Sequence, residues 1–183
     1  DVQTIVAYIG DAGYTTLKEA IEDAKAGDVV SLISDITASD IITINKAITL
    51  DGNGKTLTSS AGRAINVSGA DGVTIKNLTI NASGERAINV IQNATNVTVD
   101  NVTATAANYT VNVATSAPKA VVAIKNSNLT GLNVVNVAAP QANVTIAGGK
   151  ITCNDQNDTE NYAALALNKD GKNATIAATD VTF

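Results

Sequence analysis

Histidine, tryptophan and methionine are missing from this chain of 183 residues, and cysteine and phenylalanine occur once each. Without histidine, the side chain most often used as a general base near neutral pH is gone. The single cysteine, Cys153, excludes an internal disulfide. It has no histidine to activate it as a nucleophile. It lies two residues after Ile151 on the predicted inward side of a strand, where a thiol serves as a small hydrophobe. With one Phe and four Tyr as the only aromatics, the core must be built from Val, Ile, Leu and Ala, which suits a narrow tube. No basic cluster is present, the net charge is −5 and the pI is about 4.5. That balance excludes nucleic acid as a partner, which needs a basic stripe. No apolar run is long enough to span a bilayer, so direct membrane insertion is not expected. The chain starts with neither a methionine nor a signal-peptide pattern and reads as a mature or excised part of something longer, flanked by further domains.

What the chain does have is a repeat. Arg63 to Ile80 reads RAINVSGADGVTIKNLTI and returns as RAINVIQNATNVTVDNVTA from Arg86. Two signatures run through most of the sequence. The first is Ile42-Thr43-Ile44, Ile65-Asn66-Val67, Ile88-Asn89-Val90, Val111-Asn112-Val113, Val135-Asn136-Val137 and Leu165-Ala166-Leu167, in steps of 23, 23, 23, 24 and 30 residues. The second starts at Ile48-Thr49-Leu50 and continues through Val73, Val97, Val122, Val144 and Ala174. A looser third follows at Leu78-Thr79-Ile80, Val102-Thr103-Ala104 and Asp180-Val181. Each is apolar-polar-apolar, the period of a strand buried on one face. Three short strands per turn predict an all-β fold, a right-handed single-stranded parallel β-helix of about six coils. Ile75, Val99, Ile124 and Ile146 should then form one continuous buried stack.

Two columns check that register. The residue after the second signature alternates in charge through Asp51, Lys76, Asp100 and Lys125, as stacked strands about 4.8 Å apart would select. The next position aligns Asn77, Asn101 and Asn126 at a sharp turn, where asparagine tolerates the left-handed conformation. They read as a structural asparagine ladder rather than as ligands.

Before the coils, Ile5–Ile9 predicts a first strand. Thr16-Leu17-Lys18-Glu19 is a capping box opening an amphipathic helix of about ten residues, with Leu17, Ala20, Ile21 and Ala24 on one face and Gly27 as the stop. A strand over Asp28–Ile36 completes a cap for the open end of the solenoid, as solenoid ends require. Residues 1–38 are assigned to the cap and 39–183 to the coils, as one continuous domain.

The cap run AYIGDAGYTTLKEAIEDAKAGDVVSLISDI, the following ITLDGNGKTLT and the later VTIKNLTI and VTVDNVTA coils resemble the pectate-lyase-like right-handed β-helix domains of secreted bacterial surface proteins. The similarity covers nearly the whole chain. It implies an extracellular or cell-surface location and a family that holds polysaccharide lyases and hydrolases beside adhesin-like modules with no known catalysis.

The residues favour the second branch. A lyase of that kind would need outward acids gathered on one sheet for calcium and a base beside them. The predicted outward positions are Thr43, Asn66, Asn89, Asn112, Asn136 and Ala166 on the first sheet, and Thr49, Thr74, Thr98, Ala123, Thr145 and Thr175 on the second. None is acidic. The third sheet offers Asp180 beside Lys150, whereas glycoside hydrolysis uses two carboxylates. Asp51-Gly52-Asn53-Gly54 is a tight turn rather than a phosphate cradle, since no P-loop lysine follows. Arg63 and Arg86 should be neighbours, with Glu85 as a surface partner. The acidic insertion CNDQNDTENY explains the 30-residue step. Its Asp155, Asp158 and Glu160 are the calcium candidates, set against an ordinary solvated loop because the EF-hand spacing is absent. The threonine row is one hydroxyl per strand, as β propensity alone supplies, and does not make an ice-binding face. The Asn-x-Ser/Thr triplets at Asn77, Asn96, Asn101 and Asn143 follow from the repeat. No cofactor motif is present. The sequence thus predicts a non-catalytic adhesive or ligand-presenting module, with glycans or host or neighbouring-cell proteins as partners. Binding to glycans should be weak, because stacking aromatics are scarce. The alternative is a polysaccharide lyase or glycoside hydrolase relative, active or degenerate. The final Val181-Thr182-Phe183 is expected to point Val181 and Phe183 inward as a partial plug, with a following segment or self-association completing the cover.

Overall fold

The computed structural model describes residues 4–155 and 161–183. A short hairpin, β1 (Ala7–Ile9) and β2 (Ala12–Tyr14), opens the fold and is followed by helix α1 (Leu17–Asp23), β3 (Val29–Leu32) and β4 (Ile36–Ala38). Then come β5 (Ile42–Ile44), β6 (Thr49–Asp51) and β7 (Thr56–Ser59), and after them pairs of strands: β8 (Arg63–Ser68) with β9 (Thr74–Ala82), β10 (Arg86–Ile91) with β11 (Val97–Thr105), β12 (Tyr109–Val113) with β13 (Val121–Gly131), β14 (Val135–Val137) with β15 (Asn143–Cys153), and β16 (Leu165–Leu167) with β17 (Thr175–Thr179).

The first signature forms a six-stranded parallel sheet in the order β16-β14-β12-β10-β8-β5, which bounds about five full turns of a β-solenoid. Ile65 faces Ile88, Ile88 faces Val111 and Val111 faces Val135. The second and third signatures are not separate sheets. In β9, β11 and β13 a single strand carries both and bends at an asparagine, Asn77, Asn101 or Asn126, each with φ near +50°. The predicted column is continuous: Leu50, Ile75, Val99, Ile124 and Ile146 are in register and buried. A second inward column runs through Leu57, Ile80, Ala104, Leu129 and Ile151. Each such aliphatic side chain contributes on the order of 1.5–3 kcal/mol of transfer free energy, so each coil is glued to its neighbours by a few side chains.

The Thr16 half of the capping box forms, in a shorter helix, while Glu19 turns to the neighbouring threonine. Glu19 N–H donates to Thr16 Oγ1 at 3.2 Å. The Glu19 carboxylate accepts from the Thr15 hydroxyl. The helix leaves its track at Ala24, before Gly27, because ψ there is 144°. Its last turn carries no basic residue, and Lys46 from the next coil replaces one by donating to the carbonyls of Glu22 and Ala24. The strand expected over Asp28–Ile36 is two strands: β3 pairs with β6, and β4 pairs with β7. β1 meets β3 antiparallel and β2 meets β1, which ends the parallel sheet with a three-residue edge strand.

The last coil departs from the predicted register. Val144 faces Ile176, not Ala174, and Thr145 faces Ala177 in place of Thr175. The turn after β16 carries two extra residues, closed by Gly171 N–H donating to Asn168 O at 2.8 Å. A shift of two keeps every side chain on its own face, and Ile176 still packs against the core. Thr182 bridges to Lys150. That places Phe183 beside Ile151, but with no further coil to cover it among the described residues it is 64% exposed, and only Val181 packs on the core. Cys153 is half-buried against that core and unpaired with any cysteine.

Candidate functional site

In the first-sheet column expected to face solvent, Thr43 is exposed and Asn66 and Ala166 are half-buried, but the three asparagines between them do not face solvent. Asn89, Asn112 and Asn136 are buried to 2%, 3% and 4% exposure. The Asn89 amide donates to Asn66 Oδ1 at 3.0 Å, Asn112 to Asn89 at 2.8 Å and Asn136 to Asn112 at 2.8 Å. Identical amides repeating at strand spacing satisfy one another, which removes the penalty for burying them. Their side chains are therefore occupied by structure.

The turn asparagines form a second ladder. Asn101 Nδ2 donates to Asn77 Oδ1, and Asn77 Nδ2 donates to Asp51 Oδ1. Lys76 Nζ lies 3.4 Å from Asp51, but no ion pair joins Asp100 to Lys76 or Lys125 among the described residues. Burial disfavours the charged form of Asp51. The Asn53 N–H, the Asn77 amide and Lys76 outweigh that effect and hold its carboxyl below the ordinary value of 3.8. The glycine turn is no anion cradle. Asn53 N–H donates to Asp51 Oδ1, Gly52 N–H to Lys76 O and Gly54 N–H to Asn77 O, so its donors are used within the protein.

One edge of the first sheet gathers side chains that structure does not fully occupy. Arg63, Arg86 and Tyr109 are register partners at the start of β8, β10 and β12. The Arg86 guanidinium lies over the Tyr109 ring at 5.4 Å from its centroid. As the repeat predicts, Glu85 serves both arginines, at 4.0 Å from Arg63 and 3.8 Å from Arg86. Those contacts are long and exposed on the glutamate side, so they hold little energy. Burial first, then repulsion from Arg63, lowers the Arg86 pKa from its ordinary value, against Glu85 and Tyr109. Arg86 Nε is buried with no hydrogen-bond partner in the protein, and so is Asn108 Oδ1 one residue before Tyr109. On adjacent coils, the guanidinium over the tyrosine ring and the amide one residue before that tyrosine each bury one unpartnered polar atom. This arrangement can recognise a hydroxyl or carboxylate. It holds no nucleophile paired with a base.

The other sequence candidates are not drawn together. Asp180 takes the turn column, aligned with Gly148 and with φ of 55°, and pairs with no lysine within 4 Å among the described residues. Asp158 and Glu160 lie outside the described residues. Among the described residues no three acidic, histidine or cysteine side chains group closely enough to hold a metal, and no helix is long and apolar enough to cross a membrane.

A stack of parallel coils with polar ladders, closed at one end by a strand-helix cap, defines a pectate-lyase-like β-solenoid. The family model of the pectate lyase-like adhesive domain matches residues 12–117, more than half of the chain, and the chain belongs to that family. No curated protein and no solved structure matches it.

Proposed function

We propose that the chain is a non-catalytic adhesive module of a secreted or cell-surface protein, and that it binds glycans at the Arg63–Arg86–Tyr109 edge. The observation that carries this reading is the Arg86 guanidinium over the Tyr109 ring with the half-exposed Arg63 beside it in register, held only by long contacts to Glu85. A sugar ring supplies what such a site lacks: an apolar face for the tyrosine and hydroxyls or a carboxylate that accept from the arginine row. The family description as an adhesive domain supports the same role. The ladder in the first-sheet column supports it too, because that face carries amides bonded to each other.

The test is a glycan array probed with multivalent protein. Neutral or carboxylated sugars should be retained by the parent and lost by Arg86→Ala and by Tyr109→Ala. The same samples should release no unsaturated or reducing sugars from uronic-acid polymers, with or without calcium. Cleavage, or binding that both variants retain, overturns the reading.

A further inference from the structure

Between the cap helix and the first coil lies a cleft of about 710 Å³. One wall is α1, through Leu17 and Ile21; the other runs from Asp35 through β4 to β5. Among the described residues β4 pairs only with β7, and β5 ends its sheet with β8 as its sole partner. The other edge of each strand is therefore unpaired and faces the cap side. Ser60 N–H donates to Ala38 O at 3.0 Å, with Ala38 opposite Ser59. In a parallel ladder this directs the peptide groups of Ile36 and Ala38 to β7 and those of Thr37 to the unpaired edge. In the first sheet, Val111 N–H donates to Val134 O and Ala114 N–H donates to Val90 O. The columns of Ile42 and Ile44 thus bond toward the next coil, and the N–H and C=O of Thr43 turn to the unpaired edge. Ile41, 42% exposed, sits at the corner between the two strands. The rim carries Glu22, Asp35 and Asp40 against a single lysine, Lys18, which lies 3.9 Å from Glu22.

We propose that this cleft is a docking groove for an extended, lysine- or arginine-bearing segment of a partner protein, which adds as a strand to the edge at Thr37 and Thr43. The free main-chain donor and acceptor on each side of the corner give affinity for a segment of any sequence that follows the bend from β4 to β5. The apolar side chains of Ile36 and Ile41 provide a seat for its alternate residues, and the acidic rim selects cationic ones. The helix roofs the edge against broad sheet-to-sheet pairing. This site is separate from the glycan edge and does not depend on the adhesive reading.

The probe is a labelled Lys-Val-Thr-Val-Thr-Val-Lys peptide titrated against the whole chain by fluorescence anisotropy, beside a version with glutamates in place of the lysines. Binding of the lysine peptide should slow amide exchange at Thr37 and Thr43. Thr37→Pro and Thr43→Pro each remove one edge donor without touching the ladder to β7 or β8, a position where proline is tolerated. Both should keep the parent melting temperature within a few degrees and weaken the peptide about tenfold. Asp40→Lys should weaken it about threefold and flatten the salt dependence. The proposal is overturned if both proline variants bind as the parent does, if the glutamate peptide binds equally well, or if the lysine peptide does not bind at millimolar concentration. It is also overturned if the parent is a dimer that Thr37→Pro converts to a monomer, which would make the occupant a second copy of this chain.

Discussion

The amide ladder shows how one residue type can be decisive without touching a ligand. Asn112 both donates to Asn89 and accepts from Asn136, so Asn112→Ala strands a buried acceptor and a buried donor at once. The expected cost is about 2–4 kcal/mol, read as a lower urea midpoint with an unchanged slope. Only part of this was legible. An apolar-polar-apolar triplet looks the same whether its centre faces water or stacks on its copies, so the pattern alone points the column at solvent. The available signal was composition: threonine suits any strand, whereas asparagine is depleted in them, so four in one strand column ask for mutual bonding. The turn column is legible because Asn77, Asn101 and Asn126 need only a local, left-handed conformation. Asp51 carries a pH effect with a defined sign. Its folded pKa is depressed below 3.8, so the unfolded chain takes up the proton first as the solution is acidified. The stability that Asp51 contributes is complete above that value and is lost as pH falls through the lower, folded pKa. Asp51→Asn should flatten this part of the stability-pH curve, measured by thermal unfolding between neutral pH and acid.

At the level of elements, the helix was readable because its signals are local. Thr16 accepts from Glu19 N–H, and Leu17, Ala20 and Ile21 are buried on one face. Thr16→Ala should lower stability by about 1 kcal/mol, and Thr16→Ser should retain most of it in the same thermal assay. The β1–β2 hairpin was not readable. Ala12-Gly13-Tyr14 has no strand alternation, and its pairing comes from β1 lying along β3. The bend that joins two predicted strands into one, as in β9 and β11, is likewise a property of stacking: each asparagine turn continues the hydrogen-bond ladder of the coil before it. The last coil slipped by two residues because the turn after β16 is two residues longer than the one after β14, like the turn after β12, and a loop length leaves no periodic trace.

The whole molecule follows from the repeat step, the most legible feature of the chain. Arg63, Arg86 and Tyr109 are register partners 23 residues apart, so deleting residues 86–108 would set Tyr109 on Arg63 and leave every face intact. That variant should fold with parent-like far-ultraviolet circular dichroism and a lower melting temperature. It brings Lys76 against Lys125, where Asp100 stood between them. Adding Lys125→Asp should recover about 0.2–1 kcal/mol. A deletion one residue shorter leaves one extra residue in the turn before β12, as the 24-residue step from Val111 to Val135 already carries, and should fold with the same far-ultraviolet signature.

The interstrand hydrogen bonds run from coil to coil, and the cap hairpin and β17 lie at opposite ends of the larger sheet. Tension applied between those ends pulls each bond along its own length, so the terminal coil peels before the next one bears load. A coil of 23 residues lengthens to roughly 75–80 Å when drawn straight. The chain would thus yield in a series of small ruptures, dissipating work at each one as a shock absorber does, while the coils behind the break stay wound.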